Sequence, residues 1–183
     1  MTFAPTVIVL AAGKGERFKA SGGTHDKLET LLCGQRVRDH VLAAVSASGL
    51  PYHVVERAHT AHLPNPGMGH SIACGVAATP HAQGWLILPA DLPLIQASSL
   101  LAVAKALQQH AVVVPCYQGQ KGHPVGFQAL CGPALMQLRG DQGARAVVAT
   151  HALVQLALED EGVVLDVDTV ELLDRAKTRM TKR

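Results

Sequence analysis

The stretch that most constrains this chain lies near its start. Val7, Ile8, Val9 and Leu10 form an unbroken aliphatic run that passes through Ala11 and Ala12 into Gly13-Lys14-Gly15-Glu16-Arg17, and nine residues then separate Arg17 from Lys27. A short β-branched run bounded by glycine predicts a strand buried on both faces, the habit of parallel sheets. Glycines directly after such a strand let the backbone turn sharply and bring its N–H groups close to an anion. Arg17 and Lys27 add the positive charge that a polyphosphate needs. The stretch lacks the Gly-Lys-Ser/Thr ending of a P-loop and the third glycine of a dinucleotide fingerprint. It therefore points to a nucleoside triphosphate held by another kind of loop; an ordinary strand-to-loop turn with surface cations is the plainer alternative.

The rest of the chain alternates in the same manner. A second continuous apolar run, Trp85 to Leu88, ends at Pro89-Ala90-Asp91. Further strands are predicted at Tyr52–Val55, Ala111–Val114, Pro124–Phe127, 153–157 and 163–166. Helices are predicted at 36–48, 69–78, 97–109, 131–138, 143–150 and from 169 onward, with loops at 13–26 and 57–68. Such alternation predicts an α/β sandwich with a mostly parallel central sheet, read here as one domain over residues 1–183. Ligands of such sheets sit beyond the carboxyl ends of the strands, and Gly13, Asp91 and Asp168 all lie just past predicted strand ends. Two carboxylates facing a triphosphate would suit Mg2+, which is held through a few oxygen ligands and keeps several waters. Each aspartate would equally suit a helix N-cap.

Composition narrows the classes. Hydrophobic residues make up 48% of the 183 and charged residues 16%, while aromatics are only 3%, so the core must be aliphatic. A net charge of +2 is too small to argue for a nucleic-acid partner. Cys33, Cys74, Cys116 and Cys131 form no Cys-x-x-Cys pair, which predicts isolated thiols in a reducing compartment. The first apolar run opens a glycine loop rather than a cleavage site, and no run reaches membrane-spanning length. A cytoplasmic protein with no membrane partner is expected.

Six motifs, taken together, resemble the nucleotidyltransferases of molybdenum cofactor maturation, especially the cytidylyltransferase branch. They are Leu10-Ala11-Ala12-Gly13-x-Gly15-x-Arg17 with Lys27, Gly67-Met68-Gly69-x-Ser71-Ile72, Asp91-Leu92-Pro93, Gly122-His123-Pro124-Val125, Gly140-Asp141-x-Gly143-Ala144-Arg145 and Asp166-Val167-Asp168-Thr169. The resemblance implies a three-layer Rossmann-like fold and an Mg2+-dependent transfer of CMP from CTP to a phosphate-bearing acceptor such as molybdopterin, with release of pyrophosphate. It implies that Leu10, Ala11, Ala12 and Gly13 bind base and ribose, and that Gly15, Arg17 and Lys27 hold the phosphates. Gly67 and Ser71 would form a second nucleotide segment, Asp91 and Asp168 would bind the metal, and Gly122, His123, Pro124 and Arg145 would face the acceptor. Ala12, where the guanylyl branch more often carries glycine, favours CTP over GTP. A guanylyltransferase, a sugar- or polyol-phosphate nucleotidyltransferase, and a non-catalytic nucleotide-binding accessory protein of molybdoenzyme maturation are the alternatives. A molybdoenzyme or accessory protein is a candidate transient partner.

The chain also departs from that pattern. The insertion Ala20 to His25 makes Lys14 and Lys19 rivals of Lys27, and the short segment between Val55 and Gly67 predicts the loss of a crossover helix. The expected Asp-Thr-Pro-Glu-Asp reads Asp168-Thr169-Val170-Glu171-Leu172. His59 and His62 read as solvated loop residues, His70 as a surface residue at a helix start or a nucleotide contact, and Asp141 as a helix cap or a site residue.

Overall fold

The computed structural model describes residues 3–182. In chain order its strands are β1 (Thr6–Ala11), β2 (Leu31–Leu32), β3 (Gln35–Arg36), β4 (Tyr52–Glu56), β5 (Gly84–Pro89), β6 (Val112–Tyr117), β7 (Gln120–Lys121), β8 (Val125–Gln128) and β9 (Leu153–Ala157). Its helices are α1 (Glu16–Ala20), α2 (Val37–Ser48), α3 (Arg57–Thr60), α4 (Met68–Ala77), α5 (Ala97–Ala106), α6 (Gly132–Met136), α7 (Arg145–Ala149) and α8 (Val170–Met180).

The sheet runs β4-β1-β5-β8-β6-β7, with β9 paired to β6. β1 lies parallel to both neighbours, Val7 standing opposite Tyr52 on one side and Leu86 on the other. β8 enters antiparallel between β5 and β6, and β9 runs parallel to β6. The mostly parallel sheet expected from the sequence is therefore present, with β8 and β7 running against their neighbours.

Because successive strand residues face opposite ways, β1 feeds two cores. Val7 and Val9 pack with Leu86, Leu88 and Val113 under α2, α5 and α8, whereas Ile8 packs with Ile87, Val112 and Val114 under α4, α6 and α7. This is a three-layer arrangement. The helices dock by small residues or aliphatic stripes. α2 buries Val37, Val41 and Val45 at four-residue spacing and stops at Gly49, whose φ is 68°. At Gly75 of α4, a Cβ would stand 2.4 Å from Cγ2 of Ile8, so the missing side chain lets that helix lie directly on β1.

The structure corrects several predicted elements. Residues 163–166 form no strand; Glu161–Val163 is a 3-10 turn and the chain then runs irregularly to Thr169. Their apolar residues are buried in the core shared with α5 and β6 rather than paired in the sheet, and a short apolar run does not distinguish the two cases. The loop at 13–26 contains α1, and a two-residue β2–β3 hairpin precedes α2. The region at 57–68 keeps one helical turn, α3. The helices predicted at 97–109, 131–138 and 143–150 are shorter, ending or starting as α5, α6 and α7. Among the described residues no helix is long and apolar enough to cross a membrane.

Candidate active site

A cleft of about 770 Å³ opens at the carboxyl ends of β1 and β5. Its floor is made by β1 turning into the glycine loop. Gly15 adopts φ 64°, a left-handed conformation that side chains disfavour, and starts α1. Leu10, Ala12, Gly13, Gly15 and Arg17 line the cleft, whereas Ala11 packs against the core under α2.

Opposite the loop, charged side chains meet. Nζ of Lys27 donates to Oδ2 of Asp91 at 2.6 Å and to Oδ1 of Asp168 at 2.8 Å, and Nη1 of Arg17 lies 2.6 Å from Oδ2 of Asp168. Lys14 also lines the cleft and Lys19 does not, but Lys27 is the lysine that reaches the carboxylates. It is carried there by a 3-10 turn (Lys27–Glu29) capped by the Asp26 side chain, which accepts from the Leu28 amide at 3.0 Å.

The aspartates converge through backbone pairing. Asp91 follows β5, and its carbonyl accepts from the amide of Val167 at 2.9 Å, which brings the irregular 164–169 segment alongside. Neither aspartate caps a helix: Gln96 precedes α5, and the Thr169 hydroxyl caps α8 by accepting from Leu172. Both carboxylates are thus turned to the cleft rather than spent on a helix end.

Burial is the largest influence on Asp168 and pushes its pKa up, but the Lys27 hydrogen bond and the Lys27 and Arg17 charges hold the carboxyl below its ordinary range. Burial also works against the Lys27 ammonium, and the two carboxylates outweigh it and raise that pKa. Asp166, which also lines the cleft and hydrogen-bonds Asp168, is pushed up to about 6 by burial and by the charges of Asp168 and Asp91. Oδ1 of Asp91 is buried and has no hydrogen-bond partner. Hard carboxylate oxygens, one of them buried and unpartnered, fit Mg2+ or Mn2+. Among the described residues no three His, Cys, Asp or Glu side chains are placed to hold a metal together. An ion here would take two protein carboxylates and complete its shell elsewhere.

The second wall is Gly67, Met68 and Ser71 at the start of α4, together with Asp141. Asp141 does not cap α7, whose N-cap is Ala144. The third wall is Gly122 and His123. The Gly122 amide donates to the Pro115 carbonyl and the His123 amide to the Val163 carbonyl, each at 2.8 Å. A Cβ on Gly122 would stand 2.1 Å from that Val163 oxygen, so only glycine fits. The His123–Pro124 peptide is cis. Nδ1 of His123 is buried without a partner, and burial lowers the imidazole pKa despite the nearby Asp91 charge and a backbone hydrogen bond at Ile87. Pro124 and Arg145, expected on the acceptor side, do not line the cleft, and Arg145 is exposed.

Sequence reading missed Arg57. Its Nη2 donates to the carbonyl of Gly13 and to Oδ2 of Asp26, both at 2.6 Å, and so ties the glycine loop to the turn that carries Lys27. No motif marks it, because it works through a backbone carbonyl from the one-turn helix α3. His59 is exposed, as expected, but lies in α3 rather than in a loop; its ring accepts the Glu56 amide at 2.9 Å and closes the first turn of that helix.

The Purine catabolism protein PucB of Bacillus subtilis is 30% identical over 95% of this chain and 96% of its own length. Rv0371c of Mycobacterium tuberculosis superposes with a TM-score of 0.76 at 22% identity, over 96% of this chain and 98% of its own. Rv0371c has also been solved in complex with manganese, a structure with a TM-score of 0.75 that is likewise 22% identical and covers 96% of this chain and 98% of its own. The molybdopterin-guanine dinucleotide biosynthesis protein A of Archaeoglobus fulgidus superposes at 0.68 with 17% identity, over 97% of this chain and 100% of its own. Residues 7–156 match the MobA-like NTP transferase domain, and with the PucB likeness along nearly its whole length the chain belongs to that nucleotidyltransferase family.

Proposed function

We propose that the protein transfers CMP from CTP to the terminal phosphate of a small acceptor of the molybdopterin type, releasing pyrophosphate with the help of Mg2+. The observation that carries this reading is the meeting of Lys27, Asp91 and Asp168 in one cleft opposite Gly13. The reading takes residues 1–183 as one nucleotidyltransferase domain.

In this reading the triphosphate lies over Gly13 and Gly15, its base toward Gly67 and Ser71, and the acceptor enters past Gly122 and His123. A phosphate oxygen of the acceptor attacks the α-phosphorus in line. The new P–O bond forms as the bond from the α-phosphorus to the bridging oxygen breaks, and pyrophosphate carries off the electron pair. The nucleophile is already anionic, so no side chain need remove a proton. Negative charge grows on the departing oxygens, where Arg17 and Lys27 would stabilise it. Asp91 and Asp168 would hold the divalent ion, which when bound neutralises phosphate charge and orients the reacting groups. Lys27 lies between those carboxylates, and its ammonium would turn toward the phosphates once they are otherwise balanced. CTP is favoured by Ala12, whose methyl group narrows the floor of the cleft.

The test is a pyrophosphate-release panel that crosses CTP, GTP, ATP and UTP with molybdopterin-type and sugar-phosphate acceptors, in Mg2+ and in Mn2+. CTP with the molybdopterin-type acceptor should turn over fastest. Faster turnover with GTP would overturn the base assignment, and faster turnover with a sugar phosphate the acceptor assignment.

A further inference from the structure

His70 stands in the third position of α4 and has no role in the chemistry above. Its Nδ1 nonetheless accepts two backbone amides, that of Gly67 at 3.2 Å and that of Gly140 at 3.1 Å. The carbonyl of Gly140 in turn accepts the amide of Gly69 at 2.7 Å. Both backbone groups of Gly140 are therefore spent on the first turn of a helix 70 residues away in sequence.

The first amides of a helix have no partner within it, and a capping side chain normally supplies one. Gly67 is the N-cap here and has no side chain to offer. The Gly140 carbonyl takes over that duty for Gly69, and the His70 ring closes the contact from the other side. An imidazole nitrogen that receives two N–H donors must carry the lone pair, so the ring proton sits on Nε2. One lone pair shared by two donors gives a three-centre bond, consistent with the two distances of 3.2 and 3.1 Å.

The contact is tight as well as bonded. A Cβ on Gly67 would stand 2.2 Å from Oδ1 of Asp141, and one on Gly69 would stand 2.7 Å from the Arg139 carbonyl. The turn at 139–141 is thus seated flush on α4, and Gly67, Met68 and Asp141 together form one wall of the cleft.

We propose that His70 is a positioning residue for the nucleotide: it pins the Gly140–Asp141 turn to the start of α4 and thereby fixes the wall against which the base and ribose rest. The proposal depends on the reading of Gly67 and Ser71 as nucleotide contacts given under Proposed function. It predicts that the acceptor atom at the Nδ1 position matters, and the rest of the ring does not.

The experiment compares His70→Ala, His70→Asn and His70→Gln in the full chain. Three quantities are read: amide hydrogen exchange at Gly67 and Gly140 by NMR, calorimetric affinity for CTP and for GTP with Mg2+, and the thermal midpoint. Asparagine places its Oδ1 where Nδ1 of histidine lies, whereas glutamine places its Oε1 one bond farther out. His70→Ala should speed exchange at both glycines and weaken triphosphate binding roughly tenfold, the effect of losing hydrogen bonds of ordinary strength. His70→Asn should restore both properties, and His70→Gln neither. Unchanged exchange at Gly67 and Gly140 in His70→Ala would overturn the pin. Opened amides with unaltered triphosphate affinity would overturn the positioning role. If His70→Ala does not fold, the asparagine and glutamine variants decide, and equal behaviour of the two overturns the proposal. Wild-type protein that binds neither triphosphate refutes the nucleotide reading and the role built on it, while the amide exchange still reports the pin.

Discussion

Two glycine segments border the cleft, and they are glycine for opposite reasons. At Gly13 an added Cβ would meet nothing within 4 Å, so the protein itself leaves that space open. At Gly67 and Gly69 the same atom would strike Asp141 and the backbone of residues 139 and 140. The first segment is bare toward the cleft and the second is bare toward the protein. In sequence the first reads as a phosphate-binding loop and the second, through the resemblance, as a further nucleotide segment. The structure separates a glycine that yields room to a ligand from one that yields room to another part of the chain. Function should therefore be fragile at the first and folding fragile at the second.

The widest separation is expected at the carboxylates that face the first segment. Asp91→Asn and Asp168→Asn should each lower turnover by at least about a hundredfold, since each removes one oxygen charge from the place where phosphate charge must be balanced. Circular dichroism should show the fold intact. Near-normal rates for both variants at limiting Mg2+ would detach the carboxylates from the chemistry and leave the Gly13 side without a catalytic partner.

Gly13→Val comes next. A β-branched side chain would project into the cleft and should reduce triphosphate affinity by about a hundredfold, while the thermal midpoint should shift little, as for surface substitutions worth within about 0.5 kcal/mol. Gly67→Ala should instead act first on the fold. Forcing a methyl group against Asp141 and Gly140 should destabilise the fold by about 1–3 kcal/mol, visible in denaturant unfolding. The comparison breaks if the two variants behave alike.

How far the sequence discloses these distinctions follows from what each residue does. The strand at Val7–Leu10 and the run Trp85–Leu88 are plain to read because central parallel strands are buried on both faces. Asp91 and Asp168 stand out as a pair from their position after apolar runs, and they do meet, though Asp168 arrives on an irregular segment and not on a strand. A buried apolar segment whose backbone pairs with Asp91 and His123 has the same composition as a strand. The roles of Arg57 and His70 are not legible, because both act on backbone atoms supplied by distant parts of the chain. Sequence pattern records side chains; it does not record which carbonyl or amide a side chain will find.

The third wall carries a packed glycine, Gly122, followed by His123, and this side can be probed by pH. Burial is the main cause that lowers the His123 pKa from its ordinary 6.5, so the folded protein resists a proton that the unfolded chain accepts. The sign follows: the stability involved is present above the unfolded value and is lost as pH falls through it toward the folded one. The thermal midpoint should drop between about pH 7.5 and 5.5, and His123→Gln should lessen that drop. An identical drop in the variant would show that His123 is not responsible and that this wall resembles the first segment more than the second.

The smallest effect is expected at Ala12, which belongs to the open segment but carries a methyl group. Ala12 lines the cleft beside Gly13, and any base resting there meets that methyl. A purine requires more room than a pyrimidine, so Ala12→Gly should relax a preference for CTP toward GTP. One methyl group distinguishes ligands by only about 1–3 kcal/mol, roughly 10–200-fold, and the partial exposure of Ala12 places the expected change near the lower end. Competition between CTP and GTP at equal concentration, with saturating acceptor, measures it directly. An unchanged ratio in Ala12→Gly would mean that the base does not rest on this floor, and that selection between bases belongs to the second, protein-packed segment at Gly67 and Ser71.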